Sequence, residues 1–195
     1  MNEDPIRNLS LEVLSDNWST LKKATYEFPS GDGKWETHVR ESYDRGNGAT
    51  VLLYNKQHKN VILTRQFRLP TYLNDNKSGM LIEACAGMLD EDDPETYIKR
   101  EIEEETGYRI HSVQKIMEAY MSPGAVTEKI HFFVGTYQKE DKIHNGGGKH
   151  SEQEHIEVME VPFSQAVEMM TNGEIIDAKT IILLQYAQIN QTLWQ

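Results

Sequence analysis

The segment from Asp93 to Gly107 constrains this chain more than any other, because it reads as a helix that turns two carboxylates toward the core. Asp93 stands where an N-cap belongs, Pro94 suits the first turn, and Gly107 lies just past the end. With Ile98 at zero on a wheel of about 100° per residue, Ile102 falls at about 40°, Glu105 at about 340° and Glu101 at about 300°. Glu101 and Glu105 therefore share a face and border the apolar stripe, while Arg100 and Glu103 point largely away. Two carboxylates at i and i+4, half turned inward, repel each other and lose hydration. A hard divalent cation removes both penalties, since carboxylate oxygens are the ligands magnesium prefers. The alternative is a Glu-rich solvated helix, but such a helix keeps its carboxylates opposite the stripe.

The charge distribution points the same way. The chain of 195 residues carries a net charge of −11, a sign that repels nucleic acid and anionic lipid. Nine acidic residues fall between Asp90 and Glu105, against only Lys99 and Arg100. A surface of this sign also repels a phosphorylated ligand unless cations intervene. No apolar run is long enough for a membrane span, and the polar start lacks a signal peptide's pattern. The single cysteine, Cys85, excludes an intrachain disulfide and agrees with a reducing compartment, so a cytoplasmic location is expected. The histidines lack the spacing of a zinc site.

Ahead of the helix the chain reads as strands. Residues 20–28 and 35–43 alternate in part and are separated by Pro29-Ser30-Gly31-Asp32-Gly33, a strong turn signal. Residues 49–54 and 60–65 are short apolar runs that suggest a buried hairpin, and 80–86 another strand. Residues 69–79 read as a loop. Strands resume at 112–120, 130–137 and 156–161, and helices at 164–171 and 178–188 close the chain. The long polar loop 138–154 contains Gly146-Gly147-Gly148, which no Lys-Ser/Thr follows; it is not a Walker-type phosphate loop and is expected to give mobility. The order predicts an α+β domain with helices packed on a mixed sheet.

Gly87 followed by Arg100-Glu101-Ile102-Glu103-Glu104-Glu105-Thr106-Gly107-Tyr108 resembles the Nudix box. The stretch between Gly87 and Arg100 is one residue shorter than the family's pattern, and Asp92 or Asp93 stands for its mid-loop Glu. Similarity extends through 14–17, 43–49, 65–68, 120–124, 161–166, 173–175 and 179–180, which look like the GDP-mannose pyrophosphatase branch of the Nudix hydrolases. Pro123 also resembles a feature of ADP-ribose pyrophosphatases.

The resemblance implies a Nudix fold, a mixed β-sheet sandwiched by helices, with an N-terminal β-strand arm. Residues 1–45 would form that arm and make a homodimer, and 46–195 the hydrolase domain. The implied reaction is Mg2+-dependent hydrolysis, with Mn2+ as an alternative, of GDP-mannose to GMP and mannose 1-phosphate. Glu101, Glu105 and Glu154, with the backbone carbonyl of Ala86, would hold the metal, and Glu154 would serve as water-activating base; Glu152 competes with it. Trp18, Arg40, Glu41, Arg68, Ala86, Gly87, Glu128 and Lys179 fall where the family contacts nucleotide sugar. Val39 and Gln153 depart from the Lys and Asp of the branch, and the loop 149–155 is longer. Each position also has an ordinary reading: Arg68 as a strand-end charge, Glu128 and Glu154 as loop acids, Trp18 as interface packing. Lys179 at a helix start opposes the dipole, which favours a role. The rival substrate is ADP-ribose; the rival class is a non-catalytic nucleotide-sugar-binding module, which has no need of the carboxylates.

Overall fold

The computed structural model describes residues 4–149, 151 and 153–195. The chain divides into two compact units, one running through Asn47 and including Tyr120–Lys129, the other comprising Gly48–Ala119 and Ile130–Gln195.

The first unit is an antiparallel sheet of β1 (Arg7–Asp16), β2 (Thr20–Pro29) and β3 (Trp35–Asp44) in that order. The β2–β3 turn forms where Gly33, at φ 80°, adopts a left-handed conformation and donates its N–H to Ser30 O. β1 is not among the expected strands, although Leu9, Leu11 and Val13 alternate as a strand's do; all three are exposed. The segment Tyr120–Lys129 joins this sheet through a parallel bridge of Val126 to Tyr43.

The second unit holds a seven-stranded mixed sheet. Its centre is β4 (Gly48–Asn55), buried at every position, flanked by β5 (Asn60–Phe67) and, in parallel, by β9 (Lys129–Thr136). β8 (Gln114–Tyr120) and β10 (Glu157–Pro162) lie at the ends. The expected single strand 80–86 is two short ones, because the chain changes partner at Ala84. β6 (Met80–Glu83) pairs with β5, and β7 (Cys85–Met88) pairs with β4. Ala84 leaves the ladder and donates its N–H to Thr180 Oγ1 at 2.7 Å. The expected loop 69–79 contains one short helical turn, α1 (Leu69–Tyr72).

Both faces of β4 are covered. Ala49, Val51 and Leu53 pack with Ile98 and Ile102 of the acidic helix in one cluster. By strand alternation Leu52 and Tyr54 face the other way, toward α4 (Ala178–Ile189), with Tyr54 against Trp194. α3 (Phe163–Thr171) packs on β10 and β5. The fold is therefore the expected α+β arrangement, a mixed sheet between helices with an N-terminal strand arm. Among the described residues no helix is long and apolar enough to cross a membrane.

Candidate active site

The acidic helix begins as expected and ends differently. Asp93 caps α2 (Pro94–Glu101), accepting from Glu95 N and Thr96 N. From Ile102 to Thr106 the backbone then widens into a π-helical turn, and Gly107, at φ 79°, ends it. Arg100 on the outer face grips the preceding loop through Asp90 and, at 2.6 Å, Asp92. Asp92, together with Asp90, thus pairs with the helix, while Asp93 is spent on the cap.

Glu101 and Glu105 turn inward, against β7. Glu101 is 9% exposed and Glu105 3%. Gly87 makes this approach possible: a Cβ there would lie 2.4 Å from Tyr97 Oη and 2.9 Å from the Glu101 carboxyl carbon. Burial raises the Glu101 pKa, partly offset by a hydrogen bond from the Tyr97 hydroxyl. Burial, reinforced by Glu101, pushes Glu105 up to about 8, although the Cys85 thiol hydrogen-bonds to it. Glu105 Oε2 is buried with no hydrogen-bond partner, an arrangement that costs on the order of 1–3 kcal/mol unless something occupies its lone pairs.

A second group of charges stands beside this pair. Arg68 Nε donates to Glu83 Oε2 at 2.7 Å, and Lys179 Nζ reaches Glu83 Oε1 at 3.3 Å and Asp177 Oδ1 at 2.7 Å. Asp177 Oδ2 accepts from the backbone N–H and the hydroxyl of Thr180, capping α4. Burial opposes the charge on Arg68, yet the Glu83 carboxylate outweighs it and raises the guanidinium pKa; Glu105 acts in the same direction. Lys179 is shifted upward by the same balance, with Glu83 and Asp177 overriding burial. Arg68 and Lys179 are candidates from the sequence, whereas Glu83 and Asp177 are not. The signal for Asp177 is its place as N-cap three residues ahead of Thr180; an acid in a strand, like Glu83, announces nothing.

The triple-glycine loop does not serve as a mobile spacer. It folds back on the end of the acidic helix, with Gly147 N donating to Glu105 O at 2.9 Å and Gly148 N to Glu104 O at 3.3 Å. Gly146, Gly147 and Gly148 all have positive φ. A Cβ on Gly146 would sit 2.3 Å from Glu105 O, and one on Gly148 2.4 Å from Glu154 Oε2. Gly146 permits a close backbone approach and Gly148 a close contact with the Glu154 side chain, while at Gly147 it is the positive φ of 114° that glycine serves. Glu154 accepts from Lys149 N at 2.9 Å and exerts a like-charge effect on both Glu101 and Glu105. Glu152 lies outside the described residues.

Among the described residues no three His, Cys, Asp or Glu side chains converge closely enough to enclose an ion. Magnesium does not require such a cage, because it keeps several waters and binds through one or two carboxylates plus substrate phosphates. The unpartnered Glu105 oxygen beside Glu101 fits that demand. Of the remaining sequence candidates, Trp18, Arg40, Glu41 and Glu128 belong to the N-terminal unit. Trp18 is 86% exposed, Arg40 donates to Val39 O, and Glu128 pairs with Arg45 at 3.4 Å.

The raised Glu105 pKa sets the sign of a cation-linked stability. Without a bound cation, Glu105 stays protonated in the fold up to about pH 8 but ionises above 4.5 when unfolded. Its contribution therefore falls as pH rises between these values. A cation binds the ionised form, so the rise in Tm caused by magnesium should grow from pH 6 to pH 8.5. At a hundredfold excess over Kd the gain is about 2.7 kcal/mol, or roughly 5–10 °C for a chain of this size. Thermal melts at both pH values check this; an increment that is equal at both, or larger at pH 6, contradicts it.

Comparison with known proteins finds matches along most of the chain. The profile for the GDP-mannose pyrophosphatase NudK N-terminal domain matches residues 5–43, and that for the NUDIX domain matches residues 44–184. A GDP-mannose pyrophosphatase of Yersinia pestis is 54% identical over 185 residues, covering 95% of this chain and 92% of the relative. Those of Yersinia enterocolitica and Shigella flexneri are each 53% identical, covering 96% and 93% of this chain and 97% and 94% of the relatives.

Proposed function

This chain belongs to the Nudix family, and from that premise we propose that it hydrolyses the pyrophosphate bond of a nucleotide sugar, GDP-mannose, to GMP and mannose 1-phosphate. The observation that carries the reading is the buried Glu101–Glu105 pair, with one oxygen lacking a partner, next to the cations Arg68 and Lys179. Relatives with 53–54% identity that bear the name GDP-mannose pyrophosphatase supply the substrate.

Glu101 and Glu105, with the Ala86 carbonyl and Glu154, would hold Mg2+ or Mn2+. When bound, the cation would offset the charge of the pyrophosphate and make water a stronger acid. Glu154 takes the proton of the attacking water as its oxygen bonds to phosphorus and the bridging P–O bond breaks. Arg68 and Lys179 stabilise the negative charge left on the departing phosphate. Trp18, Arg40, Glu41, Gly87 and Glu128 contribute to nucleotide-sugar binding. Residues 1–45 act as the dimer-forming arm of the 46–195 hydrolase domain, in keeping with the exposed Leu9, Leu11 and Val13, and the homodimer works in the cytoplasm.

Incubation of the purified protein with magnesium and either GDP-mannose or ADP-ribose, followed by separation of the phosphate products, tests this. GMP and mannose 1-phosphate are the expected products. Intact GDP-mannose beside rapidly cleaved ADP-ribose overturns the substrate, and no turnover of either overturns the reaction in favour of a binding module.

A further inference from the structure

Arg68 is only half engaged. Its Nε is taken by Glu83, while its two terminal nitrogens show no hydrogen-bond partner among the described residues. A guanidinium held in this way presents a pair of parallel donors with one orientation, the geometry that matches two oxygens of a phosphoryl group. Glu83 is 3% exposed and comes from β6, so its own rotamer is fixed by the sheet. Its second oxygen brings Lys179 to the same point from the start of α4, and Asp177, locked by Thr180, holds the lysine from the other side. Two flexible cations from distant parts of the chain are thereby gathered at one buried carboxylate. Such a carboxylate costs solvation and adds nothing to anion binding by its charge, which would weaken it. Its contribution is positional.

We propose that Glu83 is a positioning residue that orients the Arg68 fork and Lys179 toward the diphosphate of the substrate. The proposal rests on the nucleotide-diphosphate reading of the site but not on the identity of the sugar or base. Because the Nε bond fixes the plane of the guanidinium, loss of Glu83 leaves the charge in place and frees its direction. Phosphate affinity should fall even though a negative charge has been removed, which is the opposite of what simple electrostatics gives.

Calorimetric titration of inorganic pyrophosphate into the magnesium-loaded protein tests this without requiring turnover. Glu83→Ala and Arg68→Lys should each weaken pyrophosphate binding by roughly ten- to a hundredfold. The double variant should bind no more weakly than the worse single variant, since both act through one fork. Glu83→Asp keeps the charge but shortens the reach; it should lose as much affinity as the Ala variant if position is what matters. Pyrophosphate affinity that is unchanged or tightened in Glu83→Ala, affinity retained in Glu83→Asp, or additive losses in the double variant would each overturn the proposal, as would a parent protein that binds no pyrophosphate. Should Glu83→Ala not fold, the Asp variant and Arg68→Lys decide alone. GDP-mannose hydrolysis by the parent is read separately, so failure of the substrate reading leaves this result standing.

Discussion

Glu105→Gln is expected to abolish most turnover while making the cation-free protein slightly more stable. The substitution removes a carboxylate proposed to hold the metal and should slow hydrolysis by roughly 10²- to 10⁴-fold. The fold, however, gains. Glu105 is buried, its pKa is raised to about 8, and one oxygen has no partner. Relieving that penalty at pH 7 is worth on the order of 2–3 kcal/mol, against about 1 kcal/mol for an amide nitrogen that inherits the unpartnered position. The net effect should be a Tm a few degrees above the parent without added cation, together with a smaller magnesium-induced rise. Melts with and without magnesium, alongside product release, check both halves. A variant that turns over within tenfold of the parent removes Glu105 from the site; one that melts lower without cation removes the argument that burying this carboxyl costs the fold stability.

Gly146→Ala should damage stability and activity together. At φ 70° the new methyl would lie 2.3 Å from Glu105 O and 2.6 Å from the carbonyl carbon of Thr106, both main-chain atoms of the π turn. A flexible side chain could move aside; this backbone cannot without releasing the bond from Gly147 N to Glu105 O. Left-handed strain plus overpacking costs about 2–4 kcal/mol. A displacement of about 1 Å at Glu105 would lower kcat/KM by on the order of a hundredfold. Gly31→Ala is the control, since a methyl there would meet no atom within 4 Å and its φ is not positive; its effect should stay within about 0.5 kcal/mol. Urea unfolding and steady-state kinetics of the two variants decide. If Gly146→Ala matches the control, the loop is a spacer after all.

The helix and its carboxylates are legible in the sequence because amphipathic period, cap and stop are local properties: Asp93, Pro94, Ile98, Ile102 and Gly107 each act within a turn or two. The same reasoning finds the hairpin of β4 and β5, whose apolar runs need no partner to be recognised. It does not find the partner change at Ala84, since that depends on Thr180, far along the chain, supplying a hydroxyl to an N–H that leaves the ladder. Nor does it find Glu83, which gains meaning only when Arg68 and Lys179 arrive from separate elements. The triple glycine, expected to give mobility, turns out otherwise for a related reason. Composition shows that glycine permits unusual backbone angles, but only the fold shows whether those angles serve motion or contact.

The parallel pairing of β4 with β9 has a kinetic consequence. Gly48–Tyr54 finds its full set of neighbours only when Ile130–Thr136 has arrived beside it. Closure of so long an intervening chain is entropically unfavourable and is rewarded only late, so folding of the central sheet should be slow compared with that of its hairpins. During synthesis, a chain that has emerged only as far as the acidic helix would already contain Glu101 and Glu105 but would still lack Phe133 of β9, which packs with Ile98 and Ile102 in the core behind them, and Glu154. The capacity to bind a cation would then be acquired near the end of folding, when the last strands have docked, rather than guiding the chain toward its structure.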